Sequence, residues 1–104
     1  MINFDKTEFD LGTIKHGEVK VVTALITNNT TNTVTFVPAN SSCSCTTGSV
    51  ENPDLLPNNS TNFNISFNTN KAGVGNNQVK SIALNYSINR QQYSQIFRFK
   101  ANVV

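Results

Sequence analysis

TNFNISFN, residues 61–68, alternates without a break: Phe63, Ile65 and Phe67 fall on one side, Asn62, Asn64, Ser66 and Asn68 on the other. A period of two is the strand period, because successive side chains of an extended chain point to opposite faces. The stretch therefore reads as a half-buried β-strand, apolar side inward and amide side to water. The same pattern recurs outward from it. QVKSIALNYSI (78–88) places Ile82, Leu84 and Tyr86 on one face, NRQQ (89–92) turns the chain, and YSQIFRFKANVV (93–104) points Phe97, Phe99, Ala101 and Val103 inward. Upstream, EVKVVTALITN (18–28) sets Val22, Ala24 and Ile26 against Val21, Thr23 and Leu25.

The remaining segments are shorter. INFDKTEFDLGTI (2–14) gives a strand at Ile2–Phe4 and a second at Phe9–Ile14, with Gly12 marking a bulge or a close backbone approach. KHG and NTTN (29–32) are turns, and TVTFVP (33–38) is a strand with Val34 and Phe36 inward, closed by Pro38. GSVENPDLLPNNS (48–60) reads as a long connection in which Leu55 and Leu56, bracketed by Pro53 and Pro57, cap an open end of the core. TNKAGVGNN (69–77) reads as a loop. No window sustains the i, i+3, i+4, i+7 spacing of a helix. About seven strands divided by turn signals make an all-β chain, a single Ig-like antiparallel β-sandwich occupying residues 1–104, with a small closed barrel as the alternative.

Composition agrees. Of 104 residues, 17 are Asn, 12 Thr and 9 Ser, while charged residues make up only 13 %. Seven Phe and the many β-branched residues separate this chain from a disordered one, so the polar residues describe a neutral surface. The net charge is +2, and the eight basic residues form no run and alternate with no aromatic platform, which argues against a nucleic-acid partner. No apolar stretch is long enough to span a membrane as a helix. MINFDKTEFD has neither the basic nor the apolar region of a signal peptide, so the expected site of synthesis is a cytosol. The seven Asn-x-Ser/Thr sequons are what so much Asn, Ser and Thr produces by chance.

The chemistry-bearing residues are few. SSCSCTTG (41–48) holds the only cysteines, Cys43 and Cys45, and His16 is the only histidine. A structural zinc site takes four ligands, more than these supply. A redox pair is ordinarily Cys-x-x-Cys at a helix start. A Cys43–Cys45 disulfide needs a turn at Ser44, because i and i+2 on a strand stand at or beyond the upper end of the usual Cα separation of roughly 4.4–6.8 Å. The expected state is two reduced, packed thiols, with the disulfide as the other possibility. His16 lies in a turn with no recognisable nucleophile, and Asp5, Glu8 and Asp10 alternate with Phe as the wet edge of a strand. These residues predict no enzyme, no cofactor and no metal. Binding remains: Val21 and Leu25, opposite the inward face of their strand, are expected to join Leu55, Leu56 and Val104 in an apolar docking surface.

FDLGTIKHGEV (9–19), TNNT (27–30), SSCSCTTG, LLPNNSTNFNISFN (55–68) and KAGVGNN (71–77) occur in that order. Together they resemble a bacterial and phage Ig-like domain family of unknown function with a Gly-Glu…Thr-Asn…Ser-Cys-Gly-Cys-Thr signature. In plan it is similar to major-sperm-protein-like and Hydin-type Ig domains. The chain departs from the pattern at Leu11, where Phe is usual, and at Ser44 and Asn58, where Gly is usual. The resemblance implies a fold rather than a reaction. Taken with the missing signal peptide, it implies a phage virion component that decorates or cements the capsid. Its partners would then be the major capsid protein, other virion proteins or copies of itself. The alternative it implies is an envelope or secreted binding module recognising protein or carbohydrate, if a signal peptide was removed.

Overall fold

The computed structural model describes residues 2–41 and 43–104, with backbone alone at residues 38–40. In chain order the strands are β1 (Ile2–Phe4), β2 (Glu8–Ile14), β3 (Val19–Asn28), β4 (Val34–Ser41), β5 (Thr46–Val50), β6 (Asp54–Leu55), β7 (Ser60–Asn68), β8 (Gly75–Ile88) and β9 (Gln91–Val103). One helical turn, α1 (Thr69–Ala72), precedes β8. The strands form two sheets, β1-β3-β7-β5 and β2-β9-β8-β4-β6, packed face to face as a sandwich 46 Å long.

Alternation builds the core as the sequence predicts. Phe63 and Phe67 of β7 meet Phe97 and Phe99 of β9 across the two sheets, each pair with ring centroids 5.0 Å apart. All four rings are buried, and burial of each side chain contributes roughly 1.5–3 kcal/mol. Ile65, Ile26, Ile82 and Leu84 belong to the same buried cluster. The β8–β9 hairpin is the longest unit. Its turn is only Asn89-Arg90, both at positive φ (50° and 69°), a pair of left-handed residues that matches the twist of a two-residue hairpin. Gln91 and Gln92 therefore belong to β9 rather than to the turn.

The amino-terminal segment changes sheets. β1 runs antiparallel to β3, and after Phe4 the chain crosses over so that β2 runs parallel to β9. That pair is the exception to the antiparallel plan. Gly12 sits where the β2–β9 register slips, at φ 68°, its N–H donating to Asp10 Oδ1 at 3.0 Å.

Three readings of the middle of the chain need correction. Pro38 does not end its strand: β4 runs to Ser41, and the ladder with β8 shifts register between Val37 and Asn40. A proline has no N–H to give the ladder, and a bulge carries the chain past it. The connection 48–60 contains the end of β5 and all of β6. Leu55 is no loop residue either: it pairs with Val34 in β6 and is fully buried, so it cannot line a docking surface. Asn58, standing where the resembled family has Gly, adopts φ 64°, a conformation that Asn tolerates better than most side chains.

Candidate interaction surface

β3 carries three of the apolar residues that the core does not absorb. Val19, Val21 and Leu25 are 52 %, 60 % and 43 % exposed, all on the outer face of the β1-β3-β7-β5 sheet. Beside them, the outward residues of β7 are Asn62, Asn64, Ser66 and Asn68. Side-chain hydrogen bonds fix this polar floor: Thr23 Oγ1 donates to Asn64 Oδ1 (2.8 Å), and Asn64 Nδ2 donates to Glu51 Oε2 (3.1 Å). Thr23 and Asn64 are thus engaged within the face, beside the exposed aliphatic stripe.

The backbone next to that stripe is open. β1 covers β3 only from Ile26 to Asn28. Asp5 then closes the ladder: its N–H donates to Leu25 O at 3.0 Å, and its Oδ1 accepts from Leu25 N–H at 2.7 Å. Beyond that point the chain leaves for the other sheet. Backbone groups of alternate residues point the same way along a strand, so Thr23, Val21 and Val19 turn their N–H and C=O groups to the side Leu25 faces. Among the described residues no strand lies beside them.

The other predicted docking residues are elsewhere. Leu56 is exposed, but its carbonyl accepts from Asn59 N–H in the loop that packs on Asn28, at the carboxyl end of β3. Val104 is exposed at the other end of the sandwich, its N–H donating to Ile14 O and its carbonyl accepting from His16 N–H. Val21 and Leu25 thus share a face that Leu56 and Val104 do not extend. Val19 is the member that sequence reasoning missed, although it lies two residues before Val21 in the same alternation.

Cys43 and Cys45 are joined in a disulfide with their Cα atoms 5.1 Å apart, where the expectation was two packed thiols. Ser44 lies in a turn, which supplies the close approach that an extended strand does not. Cys45 is buried in the core, whereas Cys43 is half-buried at its rim. His16 is exposed. Asp10 pairs with Lys100 at 3.6 Å on the surface, and Glu8 stands opposite Arg98 in the β2–β9 register, so carboxylates and cations together line an open groove of about 530 Å³. Among the described residues no three of His, Cys, Asp and Glu gather as metal ligands would, and no helix is long and apolar enough to cross a membrane.

One more concave feature lies at the hairpin tip. Tyr93 stacks on Tyr86 with ring centroids 5.5 Å apart, and with Ile2, Ile88, Thr30 and Asn32 they line a cleft of about 330 Å³. Burial first, then the neighbouring Tyr93, raises the Tyr86 phenol above its usual pKa.

The sequence profile of a family of proteins of unknown function, DUF1573, matches residues 2–103. The chain belongs to the DUF1573 family. No curated protein resembles this DUF1573 chain closely enough to count as a match. Among solved structures it is similar to a human ASH/PapD-like domain, PapD-like domain 7 of CEP192, with a TM-score of 0.77, 10 % identity, and coverage of 99 % of this chain and 84 % of that one. The VesB protease of Vibrio cholerae matches with a TM-score of 0.72 and 16 % identity over 97 % of this chain and 31 % of its own. The periplasmic chaperone SfaE matches with a TM-score of 0.62 and 10 % identity over 99 % of this chain and 57 % of its own. At such identities the likeness is one of fold: a PapD-like, Ig-like sandwich. The chain spans under a third of VesB and little more than half of SfaE, so a module of this shape also occurs inside larger proteins.

Proposed function

We propose that this DUF1573 domain is a non-enzymatic interaction module that docks on a protein partner through the outer edge and face of β3. The observation that carries the reading is the open Val19–Thr23 section, where unpaired backbone groups lie beside an aliphatic stripe. An extended partner segment laid along it gains main-chain hydrogen bonds, and Val19 and Val21 supply apolar contact. The setting we favour is the coat of a phage particle, with the domain decorating or cementing the capsid on the major capsid protein, another virion protein or a second copy of itself. Low charge suits many-copy docking through uncharged contacts, and a disulfide persists on virion surfaces as it does in secreted proteins. The test is mass spectrometry of purified virions, with wild type and Val21→Asp expressed in parallel. Wild-type chain is expected in the particles and Val21→Asp is expected to be lost from them. A chain absent from virions, or a Val21→Asp variant incorporated like wild type, refutes the reading.

The cleft beside Tyr86 and Tyr93 favours a second reading, an envelope or secreted module that recognises carbohydrate. An exposed aromatic face flanked by the Thr30 hydroxyl and the Asn32 amide suits the mixed apolar and hydroxyl surface of a sugar ring. Glycan binding that Tyr93→Ala abolishes and Val21→Asp leaves intact selects this reading over the first.

A further inference from the structure

The two cysteines are chemically unequal. Cys45 is 1 % exposed and packed in the core, while Cys43 is half-buried and within reach from outside. The Cys45 N–H points at Cys43 Sγ at 3.1 Å, and the Thr46 hydroxyl lies 3.6 Å from Cys45 Sγ. Each sulfur therefore has a group beside it able to stabilise a thiolate, and for Cys43 that group is a fixed backbone donor.

The turn is also held without the bridge. Ser41 Oγ donates to the Cys43 carbonyl at 2.7 Å, Thr46 N–H donates to the same oxygen at 3.2 Å, and Asn68 N–H donates to the Cys45 carbonyl at 2.7 Å. A bond that closes a ring across one intervening residue removes little entropy from the unfolded chain. The fold thus gains little from this disulfide, and the backbone that carries it stays anchored when it opens.

We propose that Cys43–Cys45 is a thiol–disulfide exchange site for a dithiol partner, with Cys43 as the sulfur that the partner attacks. A partner thiolate attacks Cys43 Sγ, the new S–S bond forms, and Cys45 leaves as a thiolate that takes up a proton. The partner's second thiolate then attacks its own sulfur in the mixed disulfide and expels the Cys43 thiolate beside the Cys45 N–H. The partner dithiol ends as a disulfide and the pair as two thiols, with two electrons and two protons transferred. In reverse, the Cys43 thiolate is the nucleophile on an oxidised partner. The spacing lacks the extra residue of the common redox motif, so its reading depends on the turn at Ser44 that only the structure supplies.

The experiment is reduction of the native protein followed by quench alkylation with iodoacetamide and peptide mapping. Expected are reduction without denaturant, an unchanged far-UV circular-dichroism spectrum, and alkylation of Cys43 at least roughly tenfold faster than of Cys45. Dithiothreitol and reduced thioredoxin are compared: faster reduction by thioredoxin assigns the partner to protein dithiols, and faster reduction by dithiothreitol assigns it to small ones. Cys45→Ser is expected to form a mixed disulfide with glutathione disulfide at Cys43, and Cys43→Ser is not. Should Cys45→Ser fail to fold, the wild-type labelling rates decide. A bridge that opens only in denaturant, or Cys45 labelling at least as fast as Cys43, overturns the proposal.

Discussion

Asn28→Asp exchanges one NH₂ for one oxygen and is expected to be among the costliest single changes in the chain. Asn28 is fully buried at the end of β3. Its Nδ2 donates to Asn32 O at 2.8 Å and to Leu55 O at 2.9 Å, and its Oδ1 accepts from Thr30 N–H at 2.9 Å and Thr30 Oγ1 at 2.6 Å. One side chain thereby ties the β3–β4 turn to β6. Aspartate keeps the bonds from Thr30 but turns a second anionic oxygen towards two carbonyl oxygens. The buried Leu55 carbonyl and the Asn32 carbonyl lose this donor, and a buried charge is left without a counter-ion, at a cost of about 3–5 kcal/mol. Against a total stability of roughly 5–15 kcal/mol this is a large fraction. At about 4–5 °C per kcal/mol for a domain of this size, the melting midpoint falls by roughly 12–25 °C.

The assay is thermal unfolding followed by far-UV circular dichroism, since the chain has no tryptophan. The pH dependence supplies a second, independent sign. Burial and the facing carbonyls hold the introduced carboxyl above its unfolded pKa of about 3.9, so folding takes up a proton. The penalty is then fully present above the folded pKa and shrinks as pH falls through it, and the protonated acid donates to one of the two carbonyls. The difference from wild type should narrow on acidification without vanishing, because one of the two amide donor hydrogens is still missing. A variant within about 1 kcal/mol of wild type at neutral pH, or a gap that widens in acid, refutes this account of Asn28.

Two further substitutions test the middle of the chain. A Cβ on Gly48 would lie 2.7 Å from the Phe63 ring and 2.8 Å from Ile82 Cδ1, so Gly48→Ala should destabilise by about 1–3 kcal/mol in urea unfolding, although alanine ordinarily costs a strand less than glycine. Leu55→Ala should cost about 2–5 kcal/mol and Leu56→Ala less than about 0.5 kcal/mol; equal costs would contradict the placement of the two leucines on opposite sides of the core boundary.

Strands β3, β7, β8 and β9 were legible because their inward positions hold large apolar residues at period two. β5 was not. Its inward residues are Thr46, Gly48 and Val50, and Gly48 has no side chain because the Phe63 ring already occupies that space. What hides β5 in the sequence is therefore the packing that requires it. β6 is two residues long and leaves no period to detect, so in the sequence Leu55 reads as a loop residue and only its pairing with Val34 places it in a strand. The apolar stripe could be read in part, since the alternation that buries Ala24 and Ile26 turns Val21 and Leu25 outward. The open edge beside it could not, because it depends on Asp5 ending β1 and on the chain then crossing to the other sheet.

The several free edges of this sandwich do not offer a partner the same surface. β2 presents Glu8 and Asp10, with Lys6 just before it, and charge along an edge discourages strand addition. β4 contains Pro38, which withholds one donor from any added ladder, and its register is broken there. β5 has five residues with a glycine at the centre, a short strand that leaves few groups to pair. Along Val19–Thr23, Lys20 is the only charge, there is neither proline nor glycine, and valines flank the free backbone groups. Of the edges compared, this one carries the least protection against pairing. On the reading proposed above, a partner strand covers this section, and that makes β3 the edge to alter first.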